Sequence, residues 1–325
     1  MREIAAGQKS SHAPKTILEL VIANRHAPRK LVRDAGRKGQ SMKLVRYGRP
    51  GKEKPGIIDK QGKIRDLSKH VEDLSGAALS RKSLAKLSRL VLDKLPLVRG
   101  NPRFGACVTG VGNFIAVGLN YADHAAETGA KIPAEPILFN KSKSCIAGPN
   151  DDVMIPKGAQ KADWECELAI VIGEACHNVS EREAFDVVAG YTICNDVSER
   201  AYQSEGTGQW MKGKGCPTFG PLGPWLVTKD EIKDVQKLAM WLDVNGEKAQ
   251  RGSTATMIFG VRHLVSYISK FLLLEPGDVI TTGTPPGVGL GMKPPKFLKA
   301  GDIMRLGIDG LGEQKQVVTA YRKIV

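Results

Sequence analysis

Several of the features that would place this chain in a familiar class are missing or scarce. No apolar run approaches the roughly 20 residues of a membrane span, so the sequence predicts a soluble, cytoplasmic protein. Six cysteines, at 107, 145, 166, 176, 194 and 216, show no CxxC spacing and sit mostly in apolar or strand-like surroundings. That argues against a disulfide frame or a zinc site and predicts buried free thiols. Aromatic residues make up only 6% of the chain. With its basic residues dispersed and no stacking or recognition motif, the chain is a poor candidate for nucleic-acid binding despite its positive charge. The glycine-rich stretch TTGTPPGVGLG (281–291) lacks the GxGxxG order, and Pro285-Pro286 prevents the smooth entry to a helix that a dinucleotide fingerprint needs.

What is present is a 325-residue chain, 42% hydrophobic, with a net charge of +14. That length supports a large core, as one big domain or a big one beside a small one. Residues 1–41 carry nine Lys/Arg and three Asp/Glu, hence +6, leaving +8 for the rest. The segment has little to pack apart from TILELVIAN and reads as a flexible basic extension; its Arg-rich, acid-poor composition also admits a transit peptide. From Met42, KLVRYG and GIIDKQGKIRDLS predict a strand and a hairpin turning at Asp59–Gly62. Residues 70–98 have the apolar spacing of an amphipathic helix, with Leu74, Leu79, Leu84, Leu87, Leu90 and Val91. Pro96 and Gly100-Asn101-Pro102 break that pattern, which sets a small domain at 42–109 and a larger one at 110–325.

In the larger part, FIAVGLNY, LAIVIG, YTICND, LAMWLDV and EQKQVVTAYR read as strands, with a type I′ turn at Asn245-Gly246. Ser180 to Glu183 forms a capping box expected to open a short helix ending at Gly190, and a longer helix is expected over 256–273. LEPGDVITTG and LKAGDIMRLGI repeat one device, a turn ending in Gly-Asp that feeds a strand. Strands dominate without regular alternation with helices, so the fold class is α+β, a β-rich mixed roll or sandwich with a small N-terminal α/β domain.

The chemistry concentrates in four places. In DWECELAIVIG, Glu165 and Glu167 lie two apart on a strand and so point to one face, which Asp163 shares. Like charges placed side by side repel unless solvent or a cation lies between them. Oxygen ligands of this kind suit a hard divalent cation, Mg²⁺ or else Mn²⁺ or Ca²⁺, and Asp196, at the end of YTICND, is the candidate third ligand. In NYADHAAE, Asn120 and Asp123 can form a capping box, which puts His124 and Glu127 three apart on a helical face, the spacing of a carboxylate-tuned general base. An ordinary surface His–Glu pair has the same spacing. In QWMKGKGCPTFGPLGPW, Lys212 and Lys214 sit in an ordered loop where a lysine can meet an anionic oxygen, while Arg200 and Gln203 follow Asp196 at helical spacing. Thr284 lies in the glycine-rich loop, where backbone can approach a small ligand closely.

These stretches, GLNYADHAAE, DWECELAIVIG, GYTICNDVSER, QWMKGKG…TFGPLGPWLVT and TTGTPPGVG, occur in the order in which they resemble the fumarylacetoacetate hydrolase family, over roughly residues 110–325. The resemblance implies a divalent metal held by Glu165, Glu167 and Asp196. It implies a water-activating pair in His124 and Glu127, and substrate contacts from Arg200, Gln203, Lys214 and Thr284. It further implies a homodimer acting on a small anionic keto acid, with no membrane partner. The expected reaction is hydrolysis of a carbon–carbon bond in an acylpyruvate-type β-diketo acid, releasing a pyruvate enolate held by the metal. A ureidoglycolate lyase, an oxaloacetate decarboxylase or a tautomerase could use the same site, and a catalytically silent relative would lack the acids and the dyad. Pro217 and SEGTG (204–208) depart from the commonest pattern, and KGKGCPTFGPLGPW looks most like members acting on 2,4-diketo-3-deoxy sugar acids or like ureidoglycolate lyases.

Overall fold

The computed structural model describes residues 40–129 and 131–324. The expected basic extension at 1–41 lies outside the described residues except for its last two. From residue 40 the chain forms one compact unit.

The chain enters through β1 (Lys43–Tyr47), β2 (Lys54–Ile58) and β3 (Ile64–Asp66). The β2–β3 turn closes where the sequence places it, with Asp59 N–H donating to Lys63 O and Gly62 N–H to Asp59 O. The helix expected over 70–98 is absent. In its place stand a 3-10 turn at Gly76–Leu79, a seven-residue α1 (Arg81–Leu87) capped by Ser80, and a second 3-10 turn at Leu92–Lys94. Gly76 at φ +44° and the extended Ser75 and Ser80 interrupt any helix, so Leu74, Leu79 and Leu87 reach the core from separate turns.

Then come β4 (Phe114–Gly118), α2 (Ala122–Thr128), β5 (Ile137–Asn140), β6 (Ile146–Ala147), β7 (Val153–Met154) and β8 (Ala162–Asp163). The two central strands are β9 (Cys166–Ile172) and β10 (Val188–Asn195), every residue of both buried, as their continuous apolar runs require. Between them only half of the expected Ser180–Glu183 capping box forms: Ser180 N–H and its hydroxyl both donate to the Glu183 carboxylate, Glu183 N–H goes to the Ser180 carbonyl, and only the 3-10 turn Ala184–Asp186 follows. Gly190, expected to end a helix, lies inside β10, where a Cβ would sit 2.1 Å from Val227 O of the adjacent strand.

The chain continues through β11 (Ser198–Glu199), α3 (Arg200–Ser204), α4 (Met211–Lys214), β12 (Gly220–Thr228), β13 (Ala239–Val244) and β14 (Glu247–Ser253). Asn245 and Gly246, at φ 55° and 83°, make the β13–β14 turn as predicted. The helix expected at 256–273 is confined to α5 (Val261–Ser269), because Gln236 accepts from Val261 N–H at 2.7 Å and Gly260 holds an extended cap. Last are β15 (Val279–Thr281), β16 (Ile303–Ile308) and β17 (Gly312–Thr319). The repeated Gly-Asp device is real: Asp278 accepts from Glu275 N–H at 2.9 Å and Asp302 from Lys299 N–H at 2.7 Å, with Gly277 and Gly301 at φ +100° and +97°.

Two main sheets result. The long one runs β3-β2-β1-β12-β10-β9-β15-β4-β5, with β6 paired to β12, and the shorter runs β14-β13-β16-β17-β7. β1 pairs with β12, so the strands of the 42–58 region belong to the long sheet. A polar seam joins the two layers. Gln314 donates to Ile193 O, Asn195 to Gln316, and Cys166 N–H to Gln250, all buried. All six cysteines are free, and five are buried. The β-rich α+β class stands.

Candidate active site

The strand register brings the acids together. Glu165 and Glu167 flank Cys166, whose thiol turns the other way, toward Gly307 of β16. In the β9–β10 pairing Cys194 faces Glu167 and Asn195 faces Cys166. The next residue, Asp196, donates its N–H to Glu165 O at 2.9 Å. Oxygens of Glu165, Glu167 and Asp196 consequently lie within 4.8 Å of one another, and all three residues are buried.

Three buried cations surround them. Lys214, delivered by α4, donates from Nζ to Glu165 at 2.8 Å and Asp196 at 2.7 Å. Lys141, just after β5, meets Asp196 from the other direction and also the Lys214 carbonyl. Arg200 donates to Asp163 at 2.8 Å and to Gln203 at 2.9 Å; its Nη2 is 2.7 Å from Glu165, an ion pair whose angles fall short of a hydrogen bond. Asp163 in turn accepts from Gly289 and Leu290 N–H, tying the strand to the glycine-rich loop.

The carboxylates are not equivalent. Burial alone would raise Glu165, but Lys214 and Arg200 pull its pKa down to about 2. Among the described residues Glu167 receives only a hydroxyl from Thr281 and an N–H from Gly283, at 2.8 Å. Burial first, then the charges of Asp196 and Glu165, push its pKa well above the ordinary carboxylate range. Four buried carboxylates, counting Asp163, face three buried cations. With Glu167 ionised, the residual −1 is centred on oxygen donors alone, the donor set a hard divalent cation takes. The residues fit such an ion.

The helix α2 brings up the histidine. His124 Nδ1 is 3.0 Å from Glu127 Oε2, and Glu127 Oε1 accepts from Gly287 N–H at 3.0 Å. An Nδ1 facing a carboxylate carries the proton, which leaves the basic lone pair on Nε2. The expected capping role of Asn120 is not seen: the cap is Tyr121. Asn120 is wholly buried and clamps two segments, accepting from Phe259 N–H and donating to Phe259 O and Thr282 O. Thr284 donates to Cys166 O and accepts from Gln250.

Of the nine site residues predicted from sequence, all but Glu127 line one cavity of about 60 Å³. A larger hollow of about 980 Å³, around Arg46, Glu53 and Arg103, shares no residue with it. Size does not locate the chemistry. Lys212, also considered from sequence, is exposed. Sequence reasoning missed Lys141, Phe139 and Trp210. Lys141 follows a strand in FNKSKS, but its isolation and burial are not readable from the chain.

The β-rich fold sets a buried acid cluster, with the donor set of a hard-metal site, beside a His–Glu pair. A profile of the fumarylacetoacetate (FAA) hydrolase C-terminal domain matches residues 113–319, and the chain belongs to the fumarylacetoacetate hydrolase family. A Burkholderia multivorans protein, named no further than as a hydrolase, is 60% identical over 282 residues, covering 86% of this chain and all of its own. The fumarylacetoacetate hydrolase of psychrophilic Exiguobacterium antarcticum is 36% identical over 86% of this chain and all of that one, with a TM-score of 0.77. The maleylpyruvate hydrolase of Sphingobium sp. SYK-6, solved with manganese(II) and pyruvate, is 26% identical over the same shares, with a TM-score of 0.72. A 2-hydroxyhepta-2,4-diene-1,7-dioate isomerase from Mycobacterium marinum is 31% identical over 87% of this chain and all of that one, with a TM-score of 0.68.

Proposed function

We propose that the protein is a divalent-metal-dependent hydrolase that cleaves a carbon–carbon bond in a β-diketo acid, an acylpyruvate or a 2,4-diketo-3-deoxy sugar acid. The observation that carries this is the opening of an imidazole with a carboxylate partner into the same small cavity as three buried oxygen ligands. The neighbour solved with manganese(II) and pyruvate supports the substrate class.

Glu165, Glu167 and Asp196 would hold the ion, which when bound supplies a Lewis acid toward the oxygens of a 2-oxo acid. His124, its Nδ1 proton held by Glu127, accepts a proton from water at Nε2. The water oxygen adds to the distal carbonyl, and Lys214 and Gln203 donate to the oxyanion that forms there. The bond to the central carbon then breaks, its electron pair leaving as the enolate of the pyruvate portion. His124 returns the proton to that carbon, so the sum is substrate plus water giving two acids. Arg200 contributes positive charge that favours an anionic substrate.

An isomerase or tautomerase reading is supported by the Mycobacterium marinum neighbour and needs no activated water. A screen of acylpyruvates, diketo-deoxy sugar acids, oxaloacetate and ureidoglycolate with Mg²⁺ or Mn²⁺ tests the class. His124→Ala separates the readings: hydrolysis falls by about 10²-fold or more while keto–enol exchange persists. Unchanged hydrolysis in that variant would remove the dyad from the mechanism.

A further inference from the structure

The cavity lining is of two kinds. One part is the charged set described above. The other is apolar and built from Val117, Gly118 and Leu119 at the end of β4, Phe139 of β5, and Trp210 at the start of α4. Trp210 is fixed on several sides. Its indole meets Phe139 edge-on, with ring centroids 5.2 Å apart and planes at 68°. Its carbonyl accepts from Gly213 and Lys214 N–H, the turn that delivers Lys214 to the acids. Gly213 leaves α4 no slack: a Cβ there would meet Glu199 O at 2.4 Å and Gln203 N at 2.6 Å. The slot that receives the ring is the missing side chain of Gly118, where a Cβ would lie 2.3 Å from Trp210 Cζ3. Gly118 and Trp210 fit only as a pair.

The cations that line the cavity, Lys214 and Arg200, are paired with carboxylates at the charged part of the lining. The apolar part offers a substituent ring edges and aliphatic carbon, which suits a short hydrocarbon group. We propose that Trp210, seated against Gly118, is the specificity-determining residue of the site. The indole forms the wall that limits the substituent beyond the 2-oxo acid, and so selects β-diketo acids with a short apolar acyl group over longer ones and over polyhydroxylated or dicarboxylic ones. This rests on the reading of the site as one for 2-oxo acids.

The test uses the full chain with Mn²⁺ and two series. The first is the unreactive straight-chain 2-oxo acids from pyruvate to 2-oxooctanoate, with Kd measured by calorimetry. The second is acetyl-, butanoyl- and hexanoylpyruvate and a diketo-deoxy sugar acid, with kcat/KM measured from loss of the enol absorbance. Because one methylene in an apolar pocket discriminates by about tenfold or more, Trp210→Ala should raise the hexanoyl-to-acetyl ratio of kcat/KM by at least about tenfold, with the long 2-oxo acids gaining affinity over pyruvate to match. Trp210→Phe, a smaller ring that guards against misfolding of the first variant, should shift both ratios part way. Chain-length profiles identical to wild type in folded Trp210→Ala and Trp210→Phe overturn the proposal, as does a wild type that prefers the sugar acid or the hexanoyl compound. Wild type that binds short 2-oxo acids selectively but cleaves no acylpyruvate would overturn the hydrolase reading and leave the wall standing. Absence of any 2-oxo acid binding would overturn both.

Discussion

Replacing Glu167 by Gln in protein stripped of divalent ions probes the electrostatics of the site most directly. Glu167 is 1% exposed, and among the described residues no Lys, Arg or His nitrogen forms an ion pair with it. Carboxylates whose oxygens lie within 4.8 Å repel by about 3 kcal/mol per pair at an effective dielectric constant of about 20. Burial raises the pKa of Glu167 first; its two such neighbours, Asp196 and Glu165, raise it further, and the attraction of Lys214 offsets only part of this, so it stands well above 4.5. An acid with a raised folded-state pKa keeps a proton that the unfolded chain releases. Folded protein is then favoured at low pH and loses stability as pH rises from the unfolded value toward the folded one. The limiting slope for one proton is about 1.4 kcal/mol per pH unit, or about 3 °C per unit in a protein of this size. Gln holds no such proton, and groups common to both proteins cancel in the difference. Thermal melts in EDTA between pH 5 and 8 should therefore show wild type falling relative to Glu167→Gln by up to that slope. A divalent ion at a hundred times its pH 8 Kd adds about 2.7 kcal/mol to wild type at that pH, less at pH 6 at the same concentration because ion and proton compete, and little to the variant. Parallel melting curves for the two proteins across that range would refute the reasoning.

Other substitutions test separate parts of the same structure. Lys141→Met leaves Asp196 short of one of its two buried cations and should cost about 3 kcal/mol by urea unfolding without divalent ion, with a smaller loss when the ion is supplied. Gly291→Ala places a Cβ 2.9 Å from the Glu127 carboxyl carbon; it should lower kcat by about tenfold or more through a misplaced dyad while moving the melting temperature little. Gly190→Ala drives a Cβ to 2.1 Å from the Val227 carbonyl in the centre of the long sheet. It should destabilise by about 3 kcal/mol or prevent folding, read by circular dichroism.

The strands and the acids were legible because each follows from a local rule. A period of two puts Glu165 and Glu167 on one face, and the β9–β10 register then needs only a one-residue overhang to add Asp196. The His124–Glu127 pair was legible for the same reason, being set by one helical turn. What failed depended on contacts distant in sequence. Asn120 looked like a cap because capping is a local habit of Asn, but its side chain is spent on Phe259 and Thr282, more than 130 residues away. The leucines of 74–91 have a helical spacing that three short turns reproduce, and only Gly76 hinted at the break. Lys141 is invisible in sequence because a lysine buried against a carboxylate looks the same on paper as one in water. Gly118 and Trp210 lie 92 positions apart, and neither announces the other.

The charge balance also fixes an order of events. With Glu167 ionised, four buried carboxylates against three buried cations leave the site at −1, and with a proton on Glu167 it is neutral. In neither state does it attract an anionic 2-oxo acid. A divalent cation that displaces the proton brings the sum to +1, so the site should attract the substrate carboxylate only after the ion has entered. Pyruvate titrated into protein with EDTA should give no measurable heat up to millimolar concentration, and with saturating Mg²⁺ it should bind. By linkage, pyruvate must tighten the ion to the same degree. The expectation is sharpest for Arg200→Gln, which lowers the loaded site from +1 to 0 and should weaken pyruvate by about tenfold, whereas Asp163→Asn, which raises it to +2, should not weaken pyruvate through charge. Equal affinity for pyruvate with and without the ion would show that Lys214 and Arg200 recruit the acid by themselves, and the acids at 165, 167 and 196 would then need another explanation.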